Sequence, residues 1–309
     1  MASDLLVPTT AAVVTGVASF VTGVVLTRLR ARLDARHQYQ LKAQQRLYEA
    51  VGPLRFQLVV SCRELASRVE ALHRRRYDMS TDSYFGQNTL YRLLRPLTVA
   101  GLIERQSNYV DFSLDPRTLV SLRFQQAAYD ALTGGGQAFD GLSLDWSTES
   151  QHVFKGRLQA AATLLVVEGD PPRCARFDEF PAILQQAKED DRSGGMARLA
   201  SLVEAATSPG RQPVFWCRLV AYGYVANWLL QHDGGPVGYV PVPYSVVDMI
   251  KAINDPQLDE TAEAMPAGLD EMIAATPGAQ HVPRQRERKR RITHDAPLSS
   301  NRQHPDTLA

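Results

Sequence analysis

The chain has 309 residues, 44% hydrophobic and 22% charged, which is the balance of a folded protein and excludes a wholly disordered one. Its formal net charge is +1, so no global field directs it to nucleic acid or to an acidic partner. Three widely spaced cysteines, Cys62, Cys174 and Cys217, form no CxxC pair, which excludes a disulfide framework and suits reduced thiols.

Positive charge is carried almost entirely by arginine, since lysine occurs only at positions 42, 155, 188, 251 and 289. An isolated arginine therefore says little about function.

The first element is the stretch Leu5–Leu26, 22 residues without a charge, eleven of them Leu, Val or Phe. As a helix it spans about 33 Å, enough for a hydrocarbon core of about 30 Å. Pro8 falls in the first turn, where its missing N–H costs little. A cleavable signal would carry positive charge ahead of a shorter apolar run; here Met1, Ala2, Ser3 and Asp4 lead. The basic residues follow instead: Arg28, Arg30, Arg32 and Arg36, then Lys42 and Arg46, opposed only by Asp34. By the positive-inside rule this asymmetry predicts a retained single-pass anchor in the cell membrane, N-terminus outside and all that follows cytoplasmic. Ala12, Gly16, Ser19 and Gly23 share one face of that helix, a spacing that lets two transmembrane backbones approach and so offers a route to a homo-oligomer.

The expected division is an anchor over 1–27, a basic juxtamembrane helix over 28–46, an α-helical bundle over 47–255 and a low-order tail over 256–309. Leu47, Val51, Leu54, Leu58, Cys62, Leu65, Val69 and Leu72 step by threes and fours, one face of a helix closed by His73 to Arg76. Gly52-Pro53 inside it predicts a kink or two helices sharing a face. "YFGQNTLYRLLRPLTVAGLIERQ" reads as two helices, 86–94 and 96–106, and Val110, Phe112 and Leu114 permit a short strand. Asp115-Pro116 opens a further helix that ends at Gly134. Thr148 with Gln151 resembles a capping box before a helix carrying Phe154, Leu158, Ala161 and Leu165. "TLLVVEGD" reads as a continuation of that helical stripe, and shorter helices are expected over 179–189 and 196–206.

"VFWCRLVAYGYVANWLL", residues 214–230, is the most apolar stretch of the body, but it holds Arg218 and Asn227 and is short for a span. It predicts a central buried helix in which Arg218 needs an acidic or carbonyl partner. A Gly/Pro-punctuated connection leads to a last helix over 243–253. Beyond Asp255 only a weak helix near 269–275 is expected, and the basic cluster Arg284, Arg286, Arg288, Lys289, Arg290 and Arg291 would lie in a disordered tail within reach of anionic lipid.

No catalytic, cofactor-binding or metal-binding motif is present: there is no HExxH, GxxxxGK[ST], GxSxG or GxGxxG, and the seven histidines have no zinc-like spacing. Arg218, Asn227, His232 and Asp233 form the one polar group that could converge, although glycine C-capping of a helix explains "QHDGG" more cheaply. The resulting expectation is a mainly α, membrane-anchored interaction or regulatory protein. Its partners would be the lipid bilayer and a protein of unknown identity; nucleic acid is disfavoured because no aromatic residues interleave the basic cluster. The alternatives are a membrane-anchored enzyme with a site assembled from dispersed residues and an oligomerising membrane effector.

Overall fold

The computed structural model describes residues 6–75, 79–107, 116–134, 139, 151–189, 194–206, 209–235 and 238–276. Within those stretches the side chains of residues 6–25, 36, 40, 43, 44, 46, 47, 50, 116, 117, 194 and 209 are not described.

A single helix, α1, runs from Leu6 to Arg74 and joins what the sequence divides into anchor, juxtamembrane helix and first bundle helix. Its 69 residues correspond to about 100 Å. Pro53 lies inside it, so of the two expectations, a kink or two helices sharing a face, the second does not hold. An interior proline costs about 3 kcal/mol, and burial of Val51, Leu54, Leu58, Cys62, Leu65 and Val69 on one stripe offsets that cost. Among the described residues no helix is long and apolar enough to cross a membrane. The side chains of the Leu5–Val25 stretch, with the face Ala12, Gly16, Ser19 and Gly23, lie outside the described residues.

The second helix, α2 (Tyr84–Ser107), likewise absorbs Pro96 where two helices are expected. It lies antiparallel to α1: Arg68 donates to Asn88, whereas Glu64, one turn earlier, accepts from Arg95, one to two turns later. The third, α3 (Pro116–Thr133), stops at Gly134 as predicted; Asp115, its expected cap, and the proposed strand at 110–114 lie outside the described residues. Next comes α4 (Lys155–Thr163), whose N-cap, Phe154, makes no side-chain capping bond. Gln151 serves elsewhere, and Thr148 lies outside the described residues.

"TLLVVEGD" is not a helical continuation. The helix stops at Thr163, and β1 (Val166–Val167) pairs antiparallel with β2 (Arg173–Cys174). Two adjacent β-branched valines favour this extended form, and Ala175 N–H donating to Leu165 O at 2.7 Å prolongs the ladder. Then α5 (Phe180–Glu189) and α6 (Gly194–Ala205) follow near their expected positions.

At the centre stands α7 (Pro213–Leu229), buried on every side, with α1, α3, α8 and α9 around it. It is a helix of the body, as its length and polar residues predict. It runs into a π-helical turn, Leu230–Gly234. An extended strap over 238–245 leads to α8 (Val246–Lys251), capped by Ser245, which accepts from Asp248 N–H.

The body does not end at Asp255. The last helix, α9 (Asp259–Ala275), buries Ala262, Met265, Leu269, Met272 and Ile273 against α8, α7 and α3. Pro266 lies inside it, and this stripe outweighs the proline. The basic cluster Arg284, Arg286, Arg288, Lys289, Arg290 and Arg291 lies outside the described residues.

The strap is seated on α7 at Gly223, where an added Cβ would overlap the Tyr244 hydroxyl, which donates to Val220 O at 2.8 Å. Replacing Gly223 with Ala should therefore cost about 1–3 kcal/mol by overpacking. Denaturant unfolding of Gly223→Ala checks this. The cost should shrink in Gly223→Ala/Tyr244→Ala relative to Tyr244→Ala alone.

Candidate functional site

The four polar candidates, Arg218, Asn227, His232 and Asp233, lie on α7 and its π turn, spread over 15 residues, or about 22 Å of helix. Each turns to a different partner, so the structure does not bring them together into one constellation.

Arg218 is 1% exposed and finds a carbonyl: its Nη1 donates to Gly134 O at 2.7 Å, where α3 ends. Its Nη2 stands 3.4 Å from His152 Nδ1, and its guanidinium lies over the Phe139 ring. Burial lowers the Arg218 pKa to about 10. The carbonyls at the C-terminal end of α3 carry the negative end of its dipole, which suits a cation.

Asn227 acts as a backbone surrogate. Its Oδ1 accepts from Val242 N–H at 2.8 Å and its Nδ2 donates to Val242 O at 3.1 Å. His232 is exposed; its Nδ1 lies 2.8 Å from Trp228 O, and its ring stacks on Trp228 with centroids 4.5 Å apart. The C-cap glycine expected after it is not used as such: Gly235 is right-handed at φ −54°. Gly234 is needed because a Cβ there would stand 2.7 Å from Tyr239 O.

Asp233 is paired with a residue that sequence reasoning passed over. Arg55 of α1 donates through Nη2 to Oδ1 at 2.5 Å and to Oδ2 at 2.8 Å, with Nε 3.3 Å from Oδ2. The two side chains are 11% and 5% exposed. A fork of this kind is among the stronger ion-pair geometries. Arg55 was invisible because arginine is so common here, and its partner lies 178 positions away. Gln151 likewise departs from its expected place in a capping box: its Oε1 accepts from Val214 N–H at 2.9 Å and caps α7 rather than α4. Arg123, 9% exposed, lies with its guanidinium 5.9 Å from the Trp228 ring, and burial lowers its pKa.

On α1, Arg28, Arg30 and Arg32 are exposed, as is every described side chain from Leu26 to Glu49. The Arg36 side chain lies outside the described residues. Among the described residues no group of three or more His, Cys, Asp or Glu is placed to hold a metal ion.

Cys62, Cys174 and Cys217 are free and buried. Burial raises the thiol of Cys174 to about 11 and that of Cys217 to about 12, from an ordinary value near 9, and raises Cys62 as well. Tyr91 and Tyr129 are pushed by burial to about 12.

No protein family matches the chain, and none of the curated proteins or solved structures compared with it matches either.

The raised thiols set an alkaline limit. An acid kept protonated in the fold ionises first in the unfolded chain, so its stabilising contribution is complete below pH 9 and declines as pH rises toward 11–12. Arg218 acts with the opposite sign, but only above pH 10. The denaturation midpoint should therefore fall between pH 8 and pH 10, and fall less in a Cys174→Ala/Cys217→Ala variant. A flat profile across that window would contradict the assignment.

Proposed function

We propose that the chain is a single-pass membrane protein, N-terminus outside, which presents a helical interaction domain at the cytoplasmic face and performs no catalysis itself. The observation that carries the reading is the continuity of α1. The same helix that holds the uncharged sequence from Leu6 to Leu26 enters the body without interruption, passing through a segment whose Arg28, Arg30 and Arg32 are exposed. A basic flank on one side of an uncharged run of 22 residues is the pattern that sets orientation. The non-catalytic half of the reading is supported by how the buried polar residues are used. Arg218, Asn227 and Asp233 are each committed to a structural partner, and buried groups so engaged fix packing rather than chemistry.

The full chain should sediment with membranes and resist carbonate extraction, whereas deletion of residues 1–27 should release a soluble protein with intact helical circular dichroism. Protease added outside sealed, right-side-out vesicles should leave the body uncut until the vesicles are lysed. Extraction of the full chain by carbonate would sink the anchor, and digestion without lysis would reverse the orientation.

A further inference from the structure

Arg218, Asn227 and Asp233 each have a structural partner; Arg123, in the middle of α3, does not. It is 9% exposed, and its Nε and Nη2 are sealed from solvent with no hydrogen-bond acceptor. That leaves Nη1 as the guanidinium nitrogen that opens to the surface. No carboxylate among the described residues pairs with it, and burial lowers its pKa with no charged neighbour acting on it. What it does touch is the Trp228 ring, 5.9 Å from the guanidinium carbon to the ring centroid. Contact with an indole face returns only part of what desolvating a guanidinium costs. Arginine does not escape that cost by losing its proton.

Two further groups stand in the same position. Trp228 is half-buried near the end of α7, and its indole N–H has no acceptor among the described residues. The indole of Trp216 in the same helix shows the ordinary arrangement, donating to Met249 O at 3.0 Å. His232, one turn beyond Trp228, stacks on it with centroids 4.5 Å apart. A carbonyl only accepts, so the His232 Nδ1 donates its proton to Trp228 O at 2.8 Å, and Nε2 is the free nitrogen of an exposed ring. Asp233, the acid next in the chain, is already taken by Arg55. Around one indole there are thus a buried guanidinium, an N–H without an acceptor and an exposed imidazole, with no carboxylate paired to any of them. Buried donors left in this state call for a partner from outside the chain.

We propose that Arg123, Trp228 and His232 form a binding site for a phosphate group, carried either by a soluble compound or by a lipid head. Arg123 supplies the permanent charge through Nη1, Trp228 supplies its N–H, and His232 forms the rim. A phosphate suits these donors better than a carboxylate does. Its oxygens point in several directions, whereas a carboxylate offers two in one plane, and the donors come from α3, α7 and the π turn rather than from a single fork. The site stands on the geometry of the body and does not rest on the membrane reading.

The test titrates inorganic phosphate by calorimetry into the full chain in neutral detergent micelles, with ionic strength held constant by sodium chloride. Wild type should bind one phosphate per chain, saturably. Arg123→Met should lose about tenfold or more in affinity, as expected for removal of a charge-assisted bond. Trp228→Phe, which keeps a ring and deletes the N–H, should lose about threefold. Absence of saturable binding to wild type, or undiminished affinity in Arg123→Met, overturns the site. Where Arg123→Met fails to fold, Arg123→Lys replaces it, keeping the charge without the planar donors, and unchanged affinity there and in Trp228→Phe overturns the site equally. Acetate should give no saturable heat, and acetate binding as tight as phosphate overturns the choice of ligand. Phosphatidic acid doped into the micelles separates the two carriers. Competition by it but not by phosphatidylcholine assigns the site to a lipid head, and no competition assigns it to a soluble phosphate compound.

Discussion

A helix without a polar face has to be surrounded, and α7 is such a helix: 14 of its 17 residues are buried, which leaves no side free for solvent. Helices α1, α3, α8 and α9 are arranged by that need. The polar tips along α7 then fix what lies where. Trp216 donates to Met249 O of α8, Tyr222 to Leu93 O of α2, and Arg218 to Gly134 O after α3. Each is a bond from α7 to a backbone carbonyl of a different neighbour. A wrong rotation or register of any of these helices would strand a buried donor at a cost of about 1–3 kcal/mol. The apolar residues drive the assembly, and the donors select one assembly among many.

Helix α1 lives in two environments. Over 51–72 it shares the core with α2 and α7; over 26–49 its described side chains meet solvent, including Leu26, Leu29 and Leu33 at 49–54% exposure. Arg28 and Arg32 sit one turn apart with the same sign, an arrangement that weakens an isolated helix. Helicity there is carried by continuity with the packed segment rather than by the segment's own side chains.

How far the sequence discloses this architecture depends on whether a signal is local. The stripe of α1 is periodic over many residues, α3 is bracketed by Pro116 and Gly134, and α7 is apolar all round, so the existence and class of each are readable directly. Proline was the misleading local signal. Pro96 and Pro266 each suggest an end and Pro53 a kink or an end, yet each lies inside a helix, because the apolar stripe continuing past it outweighs a single lost hydrogen bond. The body likewise continues past Asp255, where Ala262, Met265, Leu269 and Met272 repeat at helical spacing. Val166–Val167 shows the reverse case: two residues are too few for periodicity, and only pairing with Arg173–Cys174 defines them. Among the site residues, the need of Arg218 for an acidic or carbonyl partner is legible from its place in an apolar helix. The Arg55–Asp233 pair was not, because nothing in either local sequence points across 178 positions. The separation of Arg218, Asn227 and Asp233 along one rod follows from their spacing, and that spacing already disfavours a common site.

The strap over 238–245 carries a consequence for how copies of this protein behave at high concentration. Extended backbone on a surface ordinarily offers unpaired groups to any passing strand, which is the first step of edge-to-edge association. Here the inner edge is filled by the carboxamide of Asn227, which pairs with both polar groups of Val242 as a neighbouring strand would. Pro241 and Pro243, both exposed, remove the N–H groups on either side. A segment with one edge occupied by a side chain and its flanking donors deleted cannot template a growing sheet. The strap can thus leave Val240 at 70% exposure and still resist becoming a seed for aggregation.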